Sequence, residues 1–215
     1  MILDPALTAA YLIIALAVAL SPGPDVLFVL ANSLQHKLKG ALASALGIGA
    51  GSLLHALAAA VGISALIAAS PLAFDALRYA GAAYLAWLGF QALRSWYRGT
   101  GIDPASPRET ETTALRVFQR ALLTNILNPK VIVFYLALLP QFVNPELGQV
   151  GLQIFLLGSM HAGIGVVYLA SIGFAAGRAS DWLATTSFGR WMDGIAGVFF
   201  IGLAIRLALS GRPER

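Results

Sequence analysis

From Ala41 to Phe74 the chain carries no Asp, Glu, Lys or Arg, and from Leu147 to Gly177 it again carries none. Two further runs hold one charge each: Pro5 to His36 contains only Asp25, and Ala121 to Pro145 only Lys130. Tyr79 to Leu93 and Gly194 to Ile205 are uncharged as well. A helix that crosses a bilayer needs about 20 largely apolar residues at about 1.5 Å each. Charged residues are 11% of the 215 and apolar residues 58%, whereas a soluble domain is about 25% charged. A chain so composed cannot clothe a water-facing surface, which excludes a soluble enzyme, a nucleic-acid binder and a disordered segment. Its solvent is lipid. The runs do not alternate as barrel strands would, so the predicted class is all-α: a polytopic membrane helix bundle. Six transmembrane helices fit, at roughly 6–34, 40–68, 72–94, 117–140, 147–176 and 190–210.

The first apolar run begins Met1-Ile2-Leu3-Asp4, with an acid where a cleaved leader would hold Lys or Arg, and it is expected to remain in the protein. Basic residues set the orientation. The first connection holds Lys37 and Lys39, the third Arg94, Arg98, Arg108, Arg116 and Arg120, and the fifth Arg178 and Arg190. The opposite side has Arg78 and the tail arginines Arg206, Arg212 and Arg215. This predicts an N-terminus outside and explains the net charge of +4 without a nucleic-acid partner. The absence of cysteine excludes disulfides, thiolate metal sites and thiol catalysis.

The two halves echo each other. Gly23-Pro24-Asp25-Val26-Leu27 lines up with Asn128-Pro129-Lys130-Val131-Ile132, and Gly51-Ser52-Leu53-Leu54-His55 with Gly158-Ser159-Met160-His161. Ala80-Gly81 with Tyr84-Leu85 matches Ala196-Gly197 with Phe200-Ile201. Residues 1–94 and 117–215 are therefore read as two three-helix repeats, and 95–116 as a cytoplasmic linker rich in Pro, Gly, Thr and Glu. An odd number of helices per repeat makes the second cross inverted relative to the first. Inverted repeats with proline-broken helices at matching places mark secondary transporters. A proline inside a membrane helix is often only a kink. Here two of them, in Ser21-Pro22-Gly23-Pro24 and Asn128-Pro129, each precede the only full charge of their span. Each proline removes a backbone donor, and the interrupted ends expose amides that a polar cavity can use.

Asp25 and Lys130 carry the predicted mechanism. A charge at the bilayer centre costs about 2.5–3.5 kcal/mol on insertion scales and needs a partner or a wet cavity. The pair can simply tie the halves together, or it can frame a ligand: Lys130 attracting a carboxylate with help from the helix ends at Pro24 and Pro129, Asp25 attracting an ammonium or carrying a coupling proton. An amino acid displays both charges. The predicted substrate and coupling-ion site is thus Asp25, Lys130, Pro22, Gly23, Pro24, Asn128 and Pro129. His55 and His161 can relay protons or merely pack. Asn32, Asn125, Tyr135 and Trp87 can line the cavity or bridge helices. Gly47, Gly49 and Gly51, and Gly173 to Gly177, have the small-residue spacing for close helix contact, within one chain or across a homodimer.

Three other readings compete, one of them a structural membrane subunit without transport of its own, which leaves the two intramembrane charges unexplained. A metal-ion or other inorganic-ion transporter would need several ligands converging, and within the spans only Asp25, His55 and His161 offer themselves. An intramembrane serine protease would need Ser52 or Ser159 to meet a histidine. No cofactor or resident metal is called for.

Ser21-Pro22-Gly23-Pro24-Asp25 after an apolar first span resembles the signature of the lysine-exporter (LysE/RhtB) family. Asn128-Pro129-Lys130, in a span ending Leu139-Pro140-Gln141-Phe142, resembles its second signature, and Gly81 to Gly89 its third-span pattern. The resemblance covers essentially the whole chain. It implies a multi-pass protein of the bacterial cytoplasmic membrane, surrounded by lipid, that exports amino acids or close derivatives in a proton-linked, antiport-like manner.

Overall fold

The computed structural model describes residues 2–21, 23–69, 71–98, 113–178 and 188–209. All regular structure among them is helical: α1 (Pro5–Leu20), α2 (Pro24–Ala69), α3 (Pro71–Arg98), α4 (Ala114–Ile126), α5 (Pro129–Val133), α6 (Val150–Arg178) and α7 (Phe188–Leu209). After α5 the chain continues as a π-turn, Phe134–Leu138, and a 3-10 turn, Leu139–Phe142.

Proline sets the boundaries. Asp4 caps α1 by accepting from the amides of Ala6 and Leu7 at 2.9 and 3.1 Å, and Pro5 occupies the first turn, where no amide bond is lost. Ser21 closes α1 in extended geometry, as the residue before a proline prefers. Asn128, also before a proline, is extended (φ −74°, ψ 108°), and α4 meets the following Pro129–Phe142 piece at 51°. α2 is interrupted once more, at Lys37, whose φ of 52° and ψ of −136° are not helical. Gly40 then lies against the carbonyl of Asn32. Eight residues of straight helix would separate these by about 12 Å, so the chain reverses at Lys37 and α2 is a hairpin of 24–36 and 38–69.

By length and composition two helical stretches suffice to cross a membrane, Pro24–Gly62 and Val150–Gly177, with the bent Ala114–Ile126 and Pro129–Phe142 pair a third; Pro5–Leu20 and Gly197–Leu209 are shorter apolar helices. Large apolar side chains point outward along them: Ile13, Val61, Val167 and Val198 are each about two-thirds exposed or more. Exposed apolar surface on this scale marks contact with lipid or a partner rather than with water. The expected linker 95–116 is helical at both ends, since α3 runs to Arg98 and α4 opens at Ala114; 99–112 lie outside the described residues. Residues 179–187, in the connection that carries Arg178 and Arg190, lie outside them too.

α2 packs along α6 and α4, α3 along α7, and α1 against α6. The main core gathers Tyr11, Phe134, Tyr135, Leu138, Phe142, Ile154 and Leu157. Glycines allow the close approaches: Gly47 lies on the Phe118 carbonyl and Ala121, Gly49 on Val166, Gly173 on Ser33 and Ala41, and Gly197 on Leu93. The small-residue clusters are thus used inside the chain. Gly47→Val would drive a side chain into backbone that cannot yield, and is expected to cost about 1–3 kcal/mol. Gly163, with nothing within 4 Å of an added Cβ, should tolerate alanine. Thermal unfolding of both variants in detergent checks this.

Candidate functional site

Each helix break delivers one charge. Asp25 sits in the first turn of α2 and Lys130 in the first turn of α5. Each side chain reaches the other half's break. Lys130 Nζ donates to the Ser21 carbonyl and to Ser21 Oγ, both at 2.9 Å. It thereby places a cation at the C-terminal end of α1, where the helix dipole favours one. Ser21 Oγ donates onward to the Val18 carbonyl at 2.6 Å. In the opposite sense, Asp25 Oδ2 accepts from Asn125 Nδ2 at 2.9 Å, and its charge lies at an N-terminus, again on the favoured side. Gly23 lies beside the ammonium: a Cβ there would be in ordinary contact with Lys130 Nζ, at 3.4 Å. Among the described residues the two charges form no direct ion pair within 4.0 Å.

The α4 side of this clasp is held from α2. Ser52 Oγ donates to Asn125 Oδ1 at 3.4 Å, and His55 Nε2 lies 3.3 Å from the Asn125 carbonyl. Asn125 is buried in line with Val117 and Ala121, eight and four residues earlier on one α4 face. Gly51 leaves the space: an added Cβ would sit 2.6 Å from Asn125 Oδ1 and 2.9 Å from its Cβ. Gly51→Ala is therefore expected to push Asn125 off Asp25 and lower transport several-fold, at about 1–3 kcal/mol in stability. Vesicle transport read beside thermal unfolding checks it; undiminished transport would detach Asn125 from the site.

The π-turn begins one helical turn past Lys130, since the Phe134 amide bonds the Lys130 carbonyl. Single π-turns are frequent at functional sites, and this one buries Phe134 and Tyr135 together. His161 packs on Phe134 (ring centroids 4.1 Å) and edge-on to Tyr135 (5.9 Å), while His55 stacks on the other side of Tyr135 at 5.7 Å. Tyr135 Oη donates to the Gly158 carbonyl at 2.9 Å. Three buried polar atoms in this neighbourhood have no partner: Asp25 Oδ1, Asn128 Nδ2 and His161 Nδ1. An unsatisfied buried polar atom is costly and calls for an explanation.

Of the residues expected from sequence, the structure brings Gly23, Asp25, His55, Asn125, Asn128, Lys130, Tyr135 and His161 together. Asn128 caps α5 through Oδ1 on the Lys130 amide, at 3.1 Å. Pro24 and Pro129 are exposed at helix starts, and Pro22 lies outside the described residues. Asn32 lies elsewhere, its amide bonded to its own helix at the Phe28 carbonyl (2.9 Å). Trp87 is half-exposed and rests on Tyr84. Sequence reasoning missed Ser21 and Ser52 as hydrogen-bonding partners and Gly51 as the space for Asn125. Ser21 could have been found as the polar residue closing the first broken helix; the other two depend on α2–α4 register. Neither serine of the protease reading bonds a histidine, because Ser159 Oγ donates to the Phe155 carbonyl. No cluster of three metal-ligating residues occurs among the described residues.

A family profile described as LysE type translocator matches residues 16–211. The chain belongs to that family. It is a multi-pass translocator of the inner membrane, not an enzyme. The translocator is 36% identical to the homoserine/homoserine lactone efflux protein of Salmonella typhimurium over 174 residues, 81% of this chain and 82% of that one. It is 31% identical to the leucine efflux protein of Salmonella choleraesuis over 199 residues, 92% of each. No solved structure matches the translocator.

Proposed function

We propose that the translocator exports an amino acid from the cell by moving two inverted three-helix halves, 1–94 and 117–215, about a substrate site at the paired helix breaks. The reading is carried by the reciprocal clasp, in which the charge past each break bonds the polar residue before the other. The described helices are compatible with six passes: α1 continued by 24–36, then 38–69, α3, α4 continued by α5, α6 and α7. The packing supports exchange symmetry between the halves, since α1 rests on α6 as α4 rests on α2, and α3 pairs with α7. The names of the relatives supply the substrate class, efflux of homoserine, its lactone and leucine.

The free groups suit an amino-acid head. Asp25 Oδ1 accepts from the ammonium; the remaining Lys130 N–H and Asn128 Nδ2 donate to the carboxylate. Bound between the breaks, the substrate replaces the clasp bonds and frees the halves to rock, and a proton on Asp25 returns the empty carrier. His55 and His161 flank that route. Growth of an exporter-deficient bacterium carrying the chain, screened against toxic concentrations of each amino acid, tests the reading. Protection by one class of amino acid is expected; protection against divalent metals alone would replace it with inorganic-ion transport.

A further inference from the structure

A second polar network lies at the end of the bundle that the six-pass reading puts outside the cell, where the start of α1 meets the connection from Phe142 to Val150. Asn144 Nδ2 donates to Asp4 Oδ2 at 3.2 Å. Each side chain is fixed by its other oxygen: Asp4 Oδ1 accepts from the Ala6 and Leu7 amides, and Asn144 Oδ1 from the Glu146 amide at 3.0 Å. The connection itself is held by Gln153 of α6, a side chain only 1% exposed. Its Oε1 accepts from the Asn144 amide at 3.0 Å, and its Nε2 donates to the carbonyls of Asn144 and Gly148 at 2.8 and 2.7 Å. A buried and fully bonded amide makes this connection a rigid cap.

The bonds of Gln153 stay inside the second half, whereas the Asp4–Asn144 bond joins the two halves. Both of its side chains are half-buried, so on separation water replaces each partner and neither group is orphaned. The inner end is built differently. Thr113 caps α4 as Asp4 caps α1, and the reversal at Lys37 corresponds to the connection after Phe142, each following a broken span. Yet Thr113 Oγ1 accepts from the Arg116 amide, at 3.3 Å, and among the described residues no side-chain bond joins it to that reversal. A carrier tied outside and untied inside is the form that loads from the cytoplasm.

We infer that the Asp4–Asn144 bond is the outer latch of the export cycle: it holds the exit shut while substrate enters from within, and it breaks and reforms at each turnover. This rests on the exporter reading, which sets the side and the direction, and it needs no contact with the substrate.

The chain has no cysteine, so Ile2→Cys with Leu147→Cys, at exposed positions flanking the latch, places a pair of spin labels on the full chain in liposomes. One short distance should dominate. Asn144→Asp sets two carboxylates face to face while both helix caps keep their oxygens, and it should raise the longer-distance population at least about tenfold, as loss of a charge-assisted bond does. Adding Asp4→Asn exchanges donor and acceptor, and the double variant should return to the short distance; damage to the cap alone would not be mended by the exchange. Joining the two cysteines with a reducible bifunctional thiol reagent of that short length should abolish release of labelled homoserine and leucine, and reduction should restore it. Unchanged distances in Asn144→Asp, or full release by the joined protein, overturns the latch. Release by the unjoined form upholds the exporter reading whatever the distances show. The distance shift in a protein that releases neither amino acid upholds the latch and counts against the exporter reading, which the growth screen then decides.

Discussion

Asp25→Asn is expected to reduce export to the level of cells lacking the protein, while the protein stays folded in the membrane. Asparagine keeps the shape and can still accept from Asn125 Nδ2, now 2.9 Å from Asp25 Oδ2, so the α2–α4 contact survives. What disappears is the negative charge, and with it both roles proposed for it, partner of the substrate ammonium and carrier of a coupling proton. A hydrogen bond to a charged group is worth about 1.5–3 kcal/mol, so apparent affinity alone should fall roughly tenfold to hundredfold, and loss of coupling removes the rest. Membrane abundance by immunoblot and export by efflux of labelled substrate separate the two effects. Asn32→Ala is the matched control, because that side chain bonds only its own helix; it should export normally. Normal export by Asp25→Asn would remove the carboxylate from the mechanism.

Lys130→Met should have the second large effect, and a different one. Methionine fills the space without the charge, leaving the Ser21 carbonyl without the donor that holds it at 2.9 Å and the C-terminal end of α1 without its cation. Orphaning a buried acceptor costs about 1–3 kcal/mol, and the dipole contribution adds about 0.3–1 kcal/mol. Thermal unfolding should therefore shift down by several degrees, where Asp25→Asn shifts it little. Transport should also fail, because the carboxylate has lost its strongest donor. Arginine is not expected to rescue it: a planar guanidinium spreads its charge over a fork and cannot set one compact cation on both the Ser21 carbonyl and Ser21 Oγ.

The sequence made the helices and their breaks legible for simple reasons. Charge-free runs have no alternative to helix in lipid, and Pro24 and Pro129 stand at helix starts as their missing amides require. The two lone charges also led to the polar cluster at the helix breaks, because an isolated charge in such a run must find polar company. Which polar residues keep that company was legible only in part. α4 shows a polar face, so the spacing of Val117, Ala121 and Asn125 marks Asn125 as inward. The uncharged stretches of α2 and α3 show no comparable periodicity, so their sequence does not tell an inward face from a lipid face. Asn32 and Trp87 therefore looked as suitable as Asn125 until packing turned one to its own helix and the other outward. Ser52 and Gly51 became significant only through the register of α2 against α4, which periodicity does not encode. The one-residue reversal at Lys37 was visible as a basic connection but not as a left-handed backbone angle.

The central claim is that one substrate spans the charges past the two breaks, and a ligand–protein double cycle tests it most directly. Binding of the exported amino acid and of its decarboxylated amine is measured by calorimetry on the wild type and on Lys130→Met. Removing the carboxylate should weaken binding to the wild type by at least about tenfold and leave binding to Lys130→Met nearly unchanged, as a shared charge contact requires. An equal penalty in both proteins would mean that the carboxylate never meets Lys130, and the site would then lie elsewhere.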